Sequence, residues 1–234
     1  MSFVGGVGYS NIDLIYSGLD RLPDKGEEIF ARGFSMQFGG GIPATMINLS
    51  RLGVESRIIT FAGHDLFSEF VKKTLNSYPV KTVNLYKGNK MPVVLSSTLL
   101  YCGDRSFISY TDGMDLNDAV MDEVYENLKG AYVVDMHVGF LDVYKRLKKD
   151  GCIQIFDTGW EDDLTLEKYK DYLEIADYYI PNQKEAMKLT GTSSVEEAAD
   201  ILSEFFSDVT IKMDKEGCLL KNKDGIKIIS SVQN

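Results

Sequence analysis

Beyond Gly53 the chain alternates short apolar runs with segments of helical periodicity. Residues 57–61, 131–134, 153–156, 178–180 and 209–211 are brief, apolar and bounded by polar or turn residues, the pattern of strands buried on both faces. Between them Phe67, Phe70, Val71 and Leu75 recur at helical spacing. So do Val195, Ala198, Ala199, Leu202 and Phe206, with Ser193 or Ser194 as a cap ahead of Glu196 and Glu197. Strands that alternate with helices in this way predict a parallel sheet with helices on its faces. After Ile211 the pattern becomes a meander: 218–221, a turn through Asn222-Lys223-Asp224-Gly225, then 226–230.

Two stretches break the rhythm. Residues 27–37 alternate after a Pro23/Gly26 turn region, and 92–101 with 106–110 flank Cys102-Gly103-Asp104-Arg105, a hairpin signal. We read them as a small β-flap, segments of about 14–37 and 91–111, inserted into one α/β domain that fills residues 1–234. Strands of this kind beside a polar cleft close over a substrate and exclude water. The competing reading makes them edge strands of the main sheet.

Phe38-Gly39-Gly40-Gly41 runs directly into Ile42-Pro43-Ala44-Thr45-Met46-Ile47-Asn48-Leu49-Ser50-Arg51-Leu52, a helical segment that closes on Gly53. Three residues without Cβ let backbone approach a ligand, and the helix start offers unpaired N–H groups. A plain turn is the alternative.

In open α/β sheets ligands bind beyond the carboxyl ends of the strands, so the residue after each apolar run carries the chemistry. Those residues are Asp135, Asp157, Asn182 and Lys212. Helix capping explains any one of them, but not four polar residues on one rim. Asn182 and Glu185, three apart at a helix start, suit a hydrated Mg²⁺ held through water, or else a reciprocal cap. Asp13, after the short apolar run that starts the chain, is placed to accept hydrogen bonds from paired sugar hydroxyls. Gly6, Gly8 and Asn11 imitate a dinucleotide-binding turn only in part, because the third glycine is absent. Trp160, close behind Asp157, is a stacking candidate or simple packing.

Composition narrows the classes. Hydrophobic residues at 44% and charged residues at 26% are ordinary for a globular protein, and a net charge of −10 disfavours broad contact with nucleic acid or anionic membrane. Three widely spaced cysteines suit neither a disulfide framework nor a metal pattern, and only His64 and His137 are available for a histidine-based site. With no signal-like start and no long apolar run, a cytoplasmic protein is expected.

On these residues the chain resembles the ribokinase-like (PfkB) family of carbohydrate kinases, in order from about Val4 to about Ser230. Gly39-Gly40-Gly41 through Arg51-Leu52-Gly53 looks like the family's first signature. Phe61-Ala62-Gly63-His64-Asp65 looks like its Gly-x-Asp turn, and Pro181-Asn182-Gln183-Lys184-Glu185 looks like its Asn-x-x-Glu motif. The resemblance implies an α/β, three-layer doubly wound sheet with a small β-lid, ATP-dependent phosphorylation of a sugar-type hydroxyl, and a homodimer formed through the lid. It assigns Asp13, Gly39, Gly40, Gly41, Arg105 and Asp157 to the sugar, and Asn182, Glu185, Lys212 and Gly217 to ATP, with Mg²⁺ held by Glu185 and, through water, Asn182.

Three departures stand out. Ala44 replaces the signature's asparagine, and Asp214 replaces a glycine beside the nucleotide, where its charge opposes phosphate. The family's Gly-Ala-Gly-Asp motif, which carries the anion hole and the general base, would begin at about Ser231. No catalytic residue is therefore assigned within this chain, and little kinase turnover is expected from it alone. A non-catalytic sugar-binding or regulatory paralogue is the alternative, and a dinucleotide-dependent oxidoreductase ranks behind both.

Overall fold

Phe3–Val7 forms β1, a run of small and apolar residues that is almost wholly buried. It opens the first of two units, Met1–Asn127 and Leu128–Asn234, in a computed structural model that describes residues 2–232. Asn11–Ser17 (β2) and Gly33–Gly39 (β3) follow, then the helix Gly41–Arg51 (α1), the strand Ser56–Thr60 (β4), the helix Leu66–Asn76 (α2) and the strand Lys81–Asn84 (β5). The hairpin Val94–Tyr101 (β6) and Asp104–Tyr110 (β7) comes next, and the helix Asp118–Leu128 (α3) ends the unit.

These strands form two separate pairings. β1 and β4 run parallel, Val4 opposite Ser56 through Val7 opposite Ile59, and β5 extends the ladder parallel to β4. β2 pairs antiparallel with β3 and parallel with β6, which pairs antiparallel with β7, in the order β3-β2-β6-β7. The two stretches that break the sequence rhythm therefore belong to one sheet, joined through β2, which lies between β3 and β6. Regular strand begins only at Gly33 rather than near residue 27, because 18–32 is occupied by turns and ion pairs such as Arg32 with Asp20 at 2.8 Å.

Ile12 from β2 packs with Ile42, Met46 and Ile47 of α1, Ile58 of β4 and Val71 and Leu75 of α2, all at most 7% exposed. The apolar positions at helical spacing in 67–75 are thus the core-facing side of α2. Asp65 caps that helix: its Oδ1 accepts from the N–H groups of Phe67 and Ser68 at 3.0 and 2.9 Å.

The second unit starts with Ala131–Met136 (β8), Leu141–Lys149 (α4), Ile153–Phe156 (β9), Leu166–Ile175 (α5) and Tyr178–Tyr179 (β10). β8 and β9 run parallel, as do β9 and β10. Asp135 lies inside β8, opposite Ile155, so its expected place after the strand is corrected: the strand continues to Met136. The helices Gln183–Thr190 (α6) and Val195–Leu202 (α7) precede the meander Val209–Lys212 (β11), Cys218–Asn222 (β12) and Gly225–Ile229 (β13), a small antiparallel sheet. Ser194 caps α7, accepting from Glu197 N–H at 3.2 Å. An aromatic cluster fills this core, with Phe156 stacked on Tyr172 at 5.2 Å between ring centroids and Tyr179 on Phe206 at 6.2 Å.

Candidate functional site

In the first unit the glycine triplet spans the junction of β3 and α1. Gly39 ends the strand, Gly40 sits at φ 105° and Gly41 begins the helix. A Cβ on Gly40 would stand 2.9 Å from the carbonyl oxygen of Tyr9, so the left-handed backbone and the tight approach both require glycine there. Around Gly41 a Cβ would meet nothing within 4 Å. No side chain caps α1 and its first turn carries no acid; Gly41 is exposed, whereas Ile42 and Pro43 are buried and proline has no N–H, so the free amides at this start are those of Gly41 and Ile42 at most.

Asp13 comes to this junction from the middle of β2, not from a loop after β1. In register it stands opposite Gln37 and Ser96, while Asn11 stands opposite Gly39. A Cβ built on Gly39 would lie 2.6 Å from Asp13 Oδ2, so the carboxylate occupies the space that the missing side chain leaves. Burial raises the Asp13 pKa, and the positive charge of Arg105 acts against that rise. Arg105, at the start of β7, lies with its guanidinium 5.7 Å from the Phe107 ring centroid.

Directly opposed residues share a sheet face, so Gln37, Asp13, Ser96 and Ser109 form one polar row. Ser96 and Ser109 link their hydroxyls at 2.8 Å. Sequence reading missed Gln37, Ser96 and Ser109, although the alternation in these strands is the signal that identifies their face. His64 and Asp65 belong to a structural turn: Gly63 N–H donates to Ser68 Oγ at 2.8 Å, and a Cβ on Gly63 would lie 2.8 Å from the Lys90 carbonyl oxygen. A cavity of about 740 Å³ elsewhere in this unit is lined by Tyr86, Lys87, Lys90, Asp112, Met114 and Glu123, among others, and by no residue singled out from the sequence.

In the second unit Asn182 caps α6. Glu185 N–H donates to Asn182 Oδ1 at 3.0 Å and Asn182 N–H donates to Glu185 Oε2 at 2.8 Å, a reciprocal box. Lys212 reaches the same turn from β11: its N–H donates to the Pro181 carbonyl at 2.9 Å and its backbone bridges Asn182. Lys212 Nζ donates to Asp157 Oδ2 at 2.9 Å, just past the end of β9. Burial raises the Glu185 pKa and the Asp157 charge adds to the rise, while the Asn182 backbone bond and Lys212 oppose it. The structure thus gathers Asp157, Asn182, Glu185 and Lys212, and leaves Asp135 outside the group.

Among the described residues no three His, Cys, Asp or Glu side chains converge to hold an ion. A cage is not what Mg²⁺ needs, since it retains several waters and takes one or two carboxylates beside phosphates. Glu185 fits that requirement: the cap engages Oε2 and takes no part of Oε1. Trp160 is 59% exposed, with Lys188 Nζ 4.9 Å from its ring centroid. Asp214 stands at φ 52°, and Gly217 at φ 99° has no room for a Cβ, which would fall onto the Ile229 carbonyl oxygen and 2.7 Å from Ser231 N. Contacts within the chain alone thus account for the glycine at 217.

Comparison with known proteins places this geometry in a lineage. A family model for pfkB family carbohydrate kinases matches residues 1–234. The chain is 21% identical over 239 residues to ribokinase of Lactococcus lactis, covering all of this chain and 77% of that one. It is 26% identical over 210 residues to a Pyrococcus horikoshii protein described as a candidate sugar kinase, covering 82% of this chain but only 65% of the relative's length. Its fold matches Arabidopsis thaliana ribokinase, solved with ribose and ATP, at a TM-score of 0.76 and 21% identity over 98% of this chain and 78% of that one. Giardia lamblia ribokinase matches at a TM-score of 0.83 and 16% identity, over 100% of this chain and 76% of that one. The fold is therefore the ribokinase-like α/β fold, with parallel strands and the small antiparallel sheet β11–β13, and the chain belongs to the pfkB family of carbohydrate kinases.

Proposed function

We propose that this chain serves ATP-dependent transfer of a phosphoryl group to a hydroxyl of a sugar or sugar derivative. The observation that carries the reading is the apposition of Asp13 to Gly39 at the open start of α1. A carboxylate that only accepts hydrogen bonds, set beside the exposed backbone of Gly41, offers a polyol an acceptor and a donor.

In this reading the first unit binds the acceptor. Asp13 fixes a pair of hydroxyls, the backbone at Gly39, Gly40 and Gly41 lies against the sugar, and Arg105 is brought by the β6–β7 hairpin. The four-stranded sheet, which takes in the segments of about 14–37 and 91–111, acts as a lid and as the surface of a homodimer, built on one domain with the rest of the chain. The second unit binds the nucleotide through Asn182, Lys212 and the turn at Gly217. Glu185 Oε1 would hold a water of Mg²⁺, and the bound ion would neutralise charge on the phosphates. Bringing hydroxyl and phosphate together in line supplies most of the rate in such reactions, so positioning by backbone and charge outweighs any nucleophilic side chain. The −10 charge and the free cysteines suit a cytoplasmic protein.

Asp214 favours a second reading, a binding or regulatory member without chemistry, because its carboxylate stands beside the proposed phosphate turn. Calorimetry with a panel of sugars and sugar acids, with and without Mg-ATP, combined with a phosphate-transfer assay, separates the two. Transfer to any member of the panel supports the kinase. Sugar binding without nucleotide binding supports the second reading, and binding of neither ligand defeats both.

A further inference from the structure

The Asp157–Lys212 pair has a consequence for how a polyphosphate meets the second unit. Lys212 is the cation of the group, its backbone pinned by the Pro181 carbonyl and by the bridge to Asn182. Its ammonium is already engaged at 2.9 Å by Asp157 Oδ2. Both side chains are nearly half exposed, at 47% and 46%, so the pair stands in reach of an arriving ligand rather than in the core. Glu185 feels both partners, Asp157 unfavourably and Lys212 favourably, which places all three charges in one field. One ammonium thus faces two carboxylates, and Lys188, further along α6, lies over the Trp160 ring.

Lys184, exposed in the first turn of α6, is a second cation beside Asn182, but Lys212 is the one whose backbone is fixed at this turn, and its ammonium is already paired. Lys212 can bind a phosphate oxygen only by sharing or leaving Asp157, and the two carboxylates repel the remaining phosphate charge. A divalent cation that arrives with the phosphates reverses that repulsion, because it adds two positive charges where Asp157, Glu185 and Lys212 together carry a net negative one.

We propose that Asp157 makes polyphosphate binding more dependent on a divalent cation, by pairing with Lys212 so that this ammonium is not free for a phosphate oxygen. Asp157 is then a positioning residue that acts through Lys212, in place of the direct sugar contact that the family resemblance assigns to it. The inference rests on the kinase reading of the second unit.

Titration calorimetry on the whole chain tests it, with ATP and with inorganic tripolyphosphate, each in excess Mg²⁺ and in excess EDTA. The expected result is that Asp157→Asn strengthens metal-free binding by up to about fivefold, the upper end of the range of an exposed ion pair, while binding with Mg²⁺ is unchanged. The affinity ratio between the two conditions therefore contracts. Asp157→Ser, which removes the charge with a smaller side chain, contracts it equally if charge is the cause, and Lys212→Met weakens binding in both conditions. An unchanged ratio in Asp157→Asn and Asp157→Ser overturns the inference and leaves the kinase reading intact. If the unmodified chain binds ATP in neither condition, the kinase reading fails and the inference fails with it.

Discussion

Asp13 and Gly39, on adjacent antiparallel strands, share a space that admits only one side chain: a Cβ at position 39 would stand 2.6 Å from Asp13 Oδ2. Gly39→Ala therefore rotates the carboxylate away from the triplet. Stability should change by no more than about 1 kcal/mol, because the atom displaced is the end of a partly exposed side chain. Sugar affinity should fall by about tenfold or more, since a hydrogen bond to a charged group is worth about 1.5–3 kcal/mol. Sugar titration beside thermal unfolding checks this, and unchanged sugar affinity would remove Asp13 from the site.

Asp65 accepts from two backbone N–H groups and from Ser68 Oγ at 2.6 Å. Burial pushes its pKa up, but the bonds from Ser68 and Phe67 together outweigh it and the net shift is downward. A carboxyl with a depressed folded pKa contributes stability that is complete above its unfolded value, near 3.8, and is lost as pH falls through the folded one. Asp65→Ala should cost about 1–2 kcal/mol at neutral pH, as for other N-caps. Urea unfolding of both proteins should show the difference shrinking in acid below the unfolded value.

Gly217 and Asp214 share a turn and a positive φ, yet substitutions there should act in opposite directions. Gly217→Ala drives a methyl into the backbone at Ile229 and Ser231, so a loss of about 3 kcal/mol is expected from overpacking and left-handed strain combined. Asp214→Gly removes strain without removing a packed side chain and should gain up to about 1 kcal/mol. The same change should tighten ATP binding, since it deletes a negative charge. Weaker binding in Asp214→Gly would argue against a phosphate site at this turn.

Glu185→Gln separates the cap from the cation. Glutamine still accepts from Asn182 N–H and keeps the box. Burial holds the Glu185 pKa above its ordinary value, so the ionised side chain destabilises the fold increasingly as pH rises through that pKa. The variant should be as stable as the unmodified chain in acid and at least as stable at neutral pH, while the tightening of ATP binding by Mg²⁺ is lost. Chemical denaturation across pH, paired with ATP titration, measures both.

The elements were legible where one physical signal dominates. Phe67, Phe70, Val71 and Leu75 mark one face of α2, and Asn222-Lys223-Asp224-Gly225 marks the β12–β13 turn, because burial and turn geometry act locally. Asp135 was misplaced because a polar residue near the end of an apolar run can still belong to the strand, and only the pairing with Ile155 settles its position. Gln37, Ser96 and Ser109 went unnoticed beside Asp13 for a related reason: cross-strand register joins residues far apart in the chain, and no local pattern encodes it. The pairing of Asp157 with Lys212, 55 residues away, is likewise a product of the folded unit.

The seven residues of β7 are all exposed, and the strand bonds to β6 along one side only. In an antiparallel ladder every second residue of such a strand turns its amide away from its neighbour. Those amides of Asp104–Tyr110 should exchange with deuterated solvent without waiting for the hairpin to open, while β2, flanked by β3 and β6, exchanges only through a larger opening. An alternating fast and slow pattern along one strand would thus record, residue by residue, which side of the ladder is left unbonded.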